Sequence, residues 1–322
     1  MKLTLMGEFP QAALNAMYEC VAQYPGLFEV DVVDTLEKQK NMHDAECVIM
    51  RILKMPREVI EQNPNLKFIQ KWGAGFDTVD IEAAAEFGIP VANMPGANAF
   101  SVAEQTVMLM LATLRDLAFH YEALKRGEWT KSVHSDRTYS LLGKTVGLIG
   151  CGNIGREVTR RVQAFGARVI YYDPRRLNAF EEQEMGVEYV PFDQLIENAD
   201  IISMHVPLNE HTHHMISADV IAKMKPTAIV INAARGGVVD EMALAAALSE
   251  GRILGAGLDA FSQEPPPADH PLLNAPNVIY TPHTGGVSVD LAKVMGPLAI
   301  NNCAKFAQTG EADFVVNKHL MK

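Results

Sequence analysis

LLGKTVGLIGCGNIGREVTRRVQAFGARVIYYD, residues 141–173, is the stretch whose reading decides the fold. TVGLIG reads as a buried apolar strand, GCGNIG (150–155) as a glycine turn, and REVTRRVQAFG as the helix that the turn opens. A G-x-G-x-x-G carries weight only in that strand–turn–helix setting. There Gly150 permits the tight turn, Gly152 lets backbone approach a pyrophosphate, and Gly155 permits close helix–strand packing. The helix start, at Asn153 and Ile154, would turn its unpaired amides and positive dipole end toward the phosphates. The next apolar run, RVIYYD, ends at Asp173, where an acid would accept from the adenosine ribose hydroxyls and repel a 2′-phosphate. NAD is therefore the expected cofactor, while Arg175 and Arg176 keep NADP use open.

Outward from this unit, short β-rich apolar runs alternate with helical patterns, the signature of parallel α/β architecture. KLTLMG, FEVDVVD, ECVIMRI, LKFIQKWG and IPVANMP precede it; IISMHV, AIVINAA, ILGAGLDAF and NVIYTPH follow. One long helix is predicted over SVAEQTVMLMLATLRDLAFHYEAL (101–124), opened by a capping box of Ser101 and Glu104. The two α/β sets predict two domains hinged near 95–101 and 284–290. Residues 1–98 with 287–322 would form one domain, and 99–286 the dinucleotide-binding one.

The net charge of -11 offers no basic stripe for nucleic acid, though it does not exclude small anionic substrates. The four cysteines lack paired or metal-type spacing, so reduced thiols and a cytoplasmic location are expected. No apolar run reaches membrane-spanning length, so no membrane partner is expected. HTHH (211–214) has no cysteine or obvious carboxylate beside it and reads as solvated surface; no metal is expected. One run calls for an explanation: AIVINAA leads straight into Arg235 and the pair Gly236–Gly237. A permanent cation at the tip of a buried strand requires a partner.

KWGAGFDTVD, NMPGANAFSVAEQT, LLGKTVGLIGCGNIG, HVPLNEHT, INAARGGVVDEMAL, GAGLDAFSQEPPP and YTPHTGG occur in that order. With them the chain resembles the D-isomer-specific 2-hydroxyacid dehydrogenases over nearly its whole length. The resemblance implies a Rossmann doubly wound parallel sheet inserted into a flavodoxin-like α/β substrate domain, with the last helix crossing back. It implies an NAD-dependent oxidoreductase that interconverts a D-2-hydroxy acid and its 2-keto acid by hydride transfer, for example of the glyoxylate/hydroxypyruvate or D-lactate type. Substrate and nicotinamide would lie in a cleft that domain closure dries.

The resemblance also assigns roles. Arg235 would bind the substrate carboxylate and polarise the carbonyl, His283 would be the general acid/base, and Glu264 would pair with it. A guanidinium fork matches a carboxylate in a way lysine cannot, and imidazole titrates nearest neutrality. A neighbouring glutamate favours the imidazolium. The amides of Ala74 and Gly75 would also hold the carboxylate, and Asp259 would accept from the nicotinamide carboxamide. Val206, Pro207, Thr212, Ala233, Ala234, Gly285 and Gly286 would line the cofactor, with Thr106 a further contact. A homodimer through 101–124 is implied as well.

Related phosphoglycerate dehydrogenases carry an arginine where Trp72 stands, which argues against a phosphorylated substrate. Lys71 is adjacent, and D-3-phosphoglycerate dehydrogenase stays as an alternative. HSDRTYSLL replaces the more usual G-x-E-L before the glycine unit. The rival of another class is an NADH-sensing corepressor-like binding protein, which the intact catalytic trio disfavours.

Overall fold

The computed structural model describes residues 1–321. The chain divides into two compact units, Met1–Asn98 with the chain from Gly286 onward, and Ala99–Gly285. Gly286 thus falls in the first unit.

The first unit runs β1 (Lys2–Met6), α1 (Gln11–Val21), β2 (Glu29–Val33), α2 (Leu36–Lys40), β3 (Cys47–Met50), α3 (Arg57–Glu61), β4 (Phe68–Lys71), α4 (Ile81–Glu86) and β5 (Val91–Ala92). Its strands pair in parallel in the order β2-β1-β3-β4-β5. That is the flavodoxin-like order. Strands covered on both faces need no alternation, and all four residues of β3, CVIM, are buried. The ends of β1 and β3 meet at Gly7, where φ is +110° and an added Cβ would lie 1.7 Å from the Arg51 carbonyl oxygen. Only glycine fits there.

The second unit runs α5 (Ala99–Leu114), α6 (Leu117–Lys125), β6 (Thr145–Ile149), α7 (Asn153–Ala164), β7 (Arg168–Tyr172), α8 (Ala179–Met185), β8 (Val187–Tyr189), α9 (Phe192–Asn198), β9 (Ile201–Met204), α10 (Ala218–Ile221), β10 (Ile229–Asn232), α11 (Glu241–Ser249), β11 (Gly255–Leu258) and β12 (Val278–Tyr280). Its parallel strands lie in the order β12-β11-β10-β9-β6-β7-β8. The order reverses between β6 and β9, and ligands of doubly wound sheets bind at the carboxyl ends of such a switch point. The chain returns to the first unit as α12 (Val289–Thr309), packed on α1. No helix among the described residues is long and apolar enough to cross a membrane.

Two local expectations are corrected, and one strand goes unannounced by the sequence. The long helix breaks at Asp116, whose φ is +50°. The buried Asp116 carboxylate there takes His134 Nδ1 at 2.6 Å and Arg137 Nη2 at 3.8 Å. Tertiary pairing therefore offsets the cost of a left-handed residue. The Ser101–Glu104 capping box does not form, because α5 already begins at Ala99. Ser101 Oγ instead donates to the Gly285 carbonyl at 2.7 Å, and Glu104 pairs with Arg161. The capping box in this unit is Asn178 with Glu181, at the start of α8. Finally β8, only VEY, had too little periodicity to be read as a strand.

Candidate active site

The glycine turn fits a pyrophosphate by three different contacts. Gly150 holds φ +96°, and an added Cβ would sit 2.6 Å from the His205 carbonyl oxygen. A Cβ on Gly155 would sit 2.5 Å from the Gly150 carbonyl oxygen, so this glycine seats α7 against the turn. Gly152, the N-cap of α7, meets nothing within 4 Å, which leaves open space before the amides of Asn153 and Ile154. Asp173 is tied to this turn: Cys151 N donates to its Oδ2 at 3.0 Å and Arg175 N to its Oδ1 at 2.8 Å. Arg176 is engaged elsewhere. Its guanidinium holds Glu182 at 2.8 and 2.9 Å and lies over the Tyr189 ring, 4.8 Å from the centroid. The Cys151 thiol is pushed up to about 11, chiefly by burial, which disfavours the thiolate.

Arg235 follows β10 through a turn built by Asn232. Asn232 Nδ2 donates to the Arg235 carbonyl at 2.8 Å, and its Oδ1 accepts from Ala234 N at 3.1 Å. Of the two glycines that follow, only Gly237 has a left-handed φ, +77°. Gly236 serves another purpose: an added Cβ would stand 2.0 Å from the Phe261 carbonyl carbon and 2.3 Å from Ser262 N. The arginine turn is thereby seated against the backbone that leads to Glu264.

His283 Nδ1 lies 3.0 and 2.9 Å from the two oxygens of Glu264, and Phe261 N donates to Glu264 Oε1 at 3.1 Å. Burial pushes the Glu264 carboxyl up. The His283 hydrogen bond and charge, the Phe261 amide and the charge of Arg235 outweigh it and hold the carboxyl below its ordinary value. An ionised carboxylate only accepts, so Nδ1 carries the proton and Nε2 is the ring atom left for other chemistry. His283 itself sits at φ +54°, a sparsely populated conformation held by its surroundings. Asp259 supplies that hold. Its buried carboxylate accepts from Thr281 Oγ1 at 2.5 Å, Thr284 N at 2.8 Å and Gly285 N at 2.8 Å. Gln105 Nε2, from α5, donates to Thr281 Oγ1 at 2.7 Å.

The remaining expected residues divide into two groups. Val206, Pro207, Ala233 and Ala234 follow the carboxyl ends of β9 and β10, at the same edge as the glycine turn and Arg235. Thr212 uses its hydroxyl within its own loop, donating to the Pro207 carbonyl at 2.6 Å. Thr106 is fully buried and donates to the Val102 carbonyl of its own helix at 2.7 Å, presenting no surface. Ala74 and Gly75 lie in the first unit, as does Gly286. The Ala74 carbonyl accepts from Asn93 Nδ2 at 2.6 Å, and the Gly73 carbonyl from Met94 N at 2.9 Å. Trp72 is buried with its ring edge-on to Phe9, centroids 5.3 Å apart. His213 and His214 stack at 3.9 Å, and no metal-ligand cluster occurs among the described residues. Sequence reasoning missed Asn232 and Gln105. A polar residue closing the apolar run AIVIN was the available signal for the first; the second had none.

Residues 107–285 match the family profile for the NAD binding domain of D-isomer specific 2-hydroxyacid dehydrogenases. Hydroxypyruvate reductase of Thermotoga maritima is 43% identical over 81% of this chain and 84% of its own length. D-3-phosphoglycerate dehydrogenase of Methanocaldococcus jannaschii is 43% identical over 90% of this chain, which spans only 55% of that protein. A glyoxylate reductase crystal structure from Paecilomyes thermophila superimposes with a TM-score of 0.86 at 31% identity, covering 99% of both chains. A Rossmann-ordered sheet carrying the glycine turn, and this breadth of likeness, lead to one assignment: the chain belongs to the D-isomer specific 2-hydroxyacid dehydrogenases, NAD-binding oxidoreductases that interconvert 2-hydroxy and 2-keto acids.

Proposed function

We propose that the chain reduces a small unphosphorylated 2-keto acid, of the glyoxylate or hydroxypyruvate class, to its D-2-hydroxy acid with NADH. The observation that carries this reading is the His283–Glu264 pair within the charge field of Arg235. Arg235 holds the substrate carboxylate in a two-pronged grip and draws electron density from the carbonyl. The amides of Ala74 and Gly75 are assigned to the same carboxylate. His283 gives its Nε2 proton to the carbonyl oxygen as that oxygen becomes an alkoxide, and takes it back in the oxidative direction. Glu264 supports the charged ring and fixes which nitrogen faces the substrate. Bound nicotinamide supplies the hydride chemistry. Gly150, Gly152, Asn153, Ile154, Gly155 and Asp173 are assigned to the adenosine and pyrophosphate end. Asp259, Val206, Pro207, Ala233, Ala234, Gly285 and Gly286 are assigned to the nicotinamide end. Thr212 is assigned to the cofactor as well, whereas the buried Thr106 hydroxyl is committed to its own helix.

Trp72, buried against Phe9, supports an unphosphorylated substrate, as does the likeness to a hydroxypyruvate reductase of similar length. The phosphoglycerate dehydrogenase reading is favoured by the relatives of that name from Methanocaldococcus jannaschii, Archaeoglobus fulgidus and Mycobacterium leprae, of which this chain spans 55%, 57% and 49%. NADH oxidation with a panel of 2-keto acids, phosphorylated and not, separates the two. No turnover with any member would leave the NADH-sensing binding protein. Asp173 supports NAD, and the engagement of Arg176 by Glu182 withdraws one of the two cations available to a 2′-phosphate.

A homodimer is supported by α6, where Leu117, Tyr121 and Leu124 recur at helical spacing and are exposed, with Trp129 beyond them 80% exposed. Light scattering that gave a monomer mass would reject it. Four free, buried cysteines support a cytoplasmic location.

A further inference from the structure

Another histidine–glutamate pair is joined to the first through residues 261–262. Glu241 opens α11, and its side chain is only 11% exposed. Its Oε1 accepts from Ser262 N at 2.6 Å and from Ser262 Oγ at 2.8 Å, and its Oε2 lies 3.1 Å from His270 Nε2. His270 Nδ1 accepts from Leu272 N at 3.3 Å, so the ring proton sits on Nε2 and points at Glu241. The His270 ring also meets Phe261 edge-on, centroids 5.9 Å apart. Four donors or ring contacts thus converge on one carboxylate and on the peptide 261–262.

We infer that Glu241 is a positioning residue for the catalytic pair: it grips peptide 261–262 from one side while Gly236 backs it from the other, fixing where Glu264 meets His283. The geometry leaves little slack. The segment after Arg235 touches Phe261 and Ser262 through Gly236 and again through Glu241. Phe261 N in turn holds Glu264 Oε1. A displacement of this peptide moves Glu264 relative to His283 and to Arg235 together. Glu241 also sits in the first turn of α11, where an acid stabilises a helix through its dipole. A group serving only that purpose has no reason to spend its acceptors on Ser262 and His270 rather than on helix amides, and Asp240 already caps those.

The inference rests on the reading of His283–Glu264 as the acid/base pair, and the test keeps the two apart. Glu241→Gln and, as the milder variant, Ser262→Ala are assayed for kcat against pH with the best keto acid, for NADH affinity by fluorescence, and for thermal stability. Misplacement of a catalytic group costs up to about 100-fold. Glu241→Gln is expected to lower kcat about 10-fold or more, leave NADH affinity unchanged, and move the basic limb of the profile to lower pH. Ser262→Ala should move it the same way by less. Against a Glu264→Gln background, Glu241→Gln should add less than about two-fold, since the two act through one group. An unmoved limb in both variants, or an additive double mutant, overturns the inference and leaves Glu241 a purely structural acid. If His283→Ala turned over normally, the acid/base reading itself would fall instead.

Discussion

Besides an exposed contact between the neighbours Glu210 and His211, two histidine–glutamate pairs lie in the second unit, and they differ in a way that chemistry can use. In the His283–Glu264 pair the side chains are 45% and 41% exposed; in His270–Glu241 they are 14% and 11% exposed. His283 has one ring nitrogen engaged by Glu264 and holds a left-handed backbone conformation. His270 has both nitrogens engaged, one by Leu272 N and one by Glu241. A histidine that keeps one nitrogen open to a ligand can move a proton; a histidine satisfied on both sides can only hold structure in place. Pairing with a carboxylate therefore does not by itself mark a catalytic histidine. The ring nitrogen left open beside Glu264 supports the role proposed for His283.

The contrast breaks first if the two histidines respond alike. His283→Ala should cut turnover by about 10²–10⁴-fold, the usual worth of positioned acid–base catalysis, with NADH affinity nearly intact. His270→Ala should leave NADH affinity intact and cost about 1–3 kcal/mol of stability, since it strips a buried carboxylate of a donor; chemical denaturation reads this directly. Equal losses of turnover in the two variants would erase the distinction. Arg235→Lys comes next, at about 2–5 kcal/mol of transition-state stabilisation in kcat/KM, as for the truncation of a buried charge pair. A loss of a few tenths would remove Arg235 from the carboxylate.

Smaller effects sharpen the link between the pairs. Gly236→Ala forces a Cβ into the Phe261–Ser262 peptide, and overpacking of that kind costs about 1–3 kcal/mol of stability. Turnover should fall with it, whereas a silent substitution would mean that the two loops are not seated on each other. Acid sensitivity is the mildest test. Burial pushes the His205 imidazole down to about 4 from an ordinary 6.5, so the folded chain refuses a proton that the unfolded chain accepts. Stability should therefore fall as pH drops from about 6.5 toward 4, beginning above the range where carboxylates titrate. Glu264, held below its ordinary value, adds a loss at lower pH, as the pH falls through its folded-state pKa. Melting temperatures that stay flat from pH 7 to pH 5 would contradict the His205 part.

Much of this was legible in the sequence because it depends on residue types that tolerate no substitute. A turn that needs φ +96° at Gly150 and open space at Gly152 writes itself as glycine, and a strand buried on both faces writes itself as an apolar run. The roles proposed for Arg235, Glu264 and His283 rest on ordered motifs rather than on spacing, since the three lie on separate loops. What escaped depends on contacts between segments distant in the chain. The break at Asp116 is set by His134 and Arg137, and the Ser101 hydroxyl is drawn from a cap to Gly285. Gly236 is a point of close approach to Phe261, which no local pattern announces. Glu241 and His270 carry no signature of spacing at all; only folding brings them to the same peptide.

The claim at the centre is that the open pair works as a unit, with Glu264 sustaining the charge on His283 while it donates. The most direct test is the pH dependence of keto-acid reduction at saturating NADH, wild type beside Glu264→Gln. A basic limb at lower pH in the variant, with NADH affinity unchanged, is expected. A limb in the same place, with only a uniformly lower rate, would contradict it.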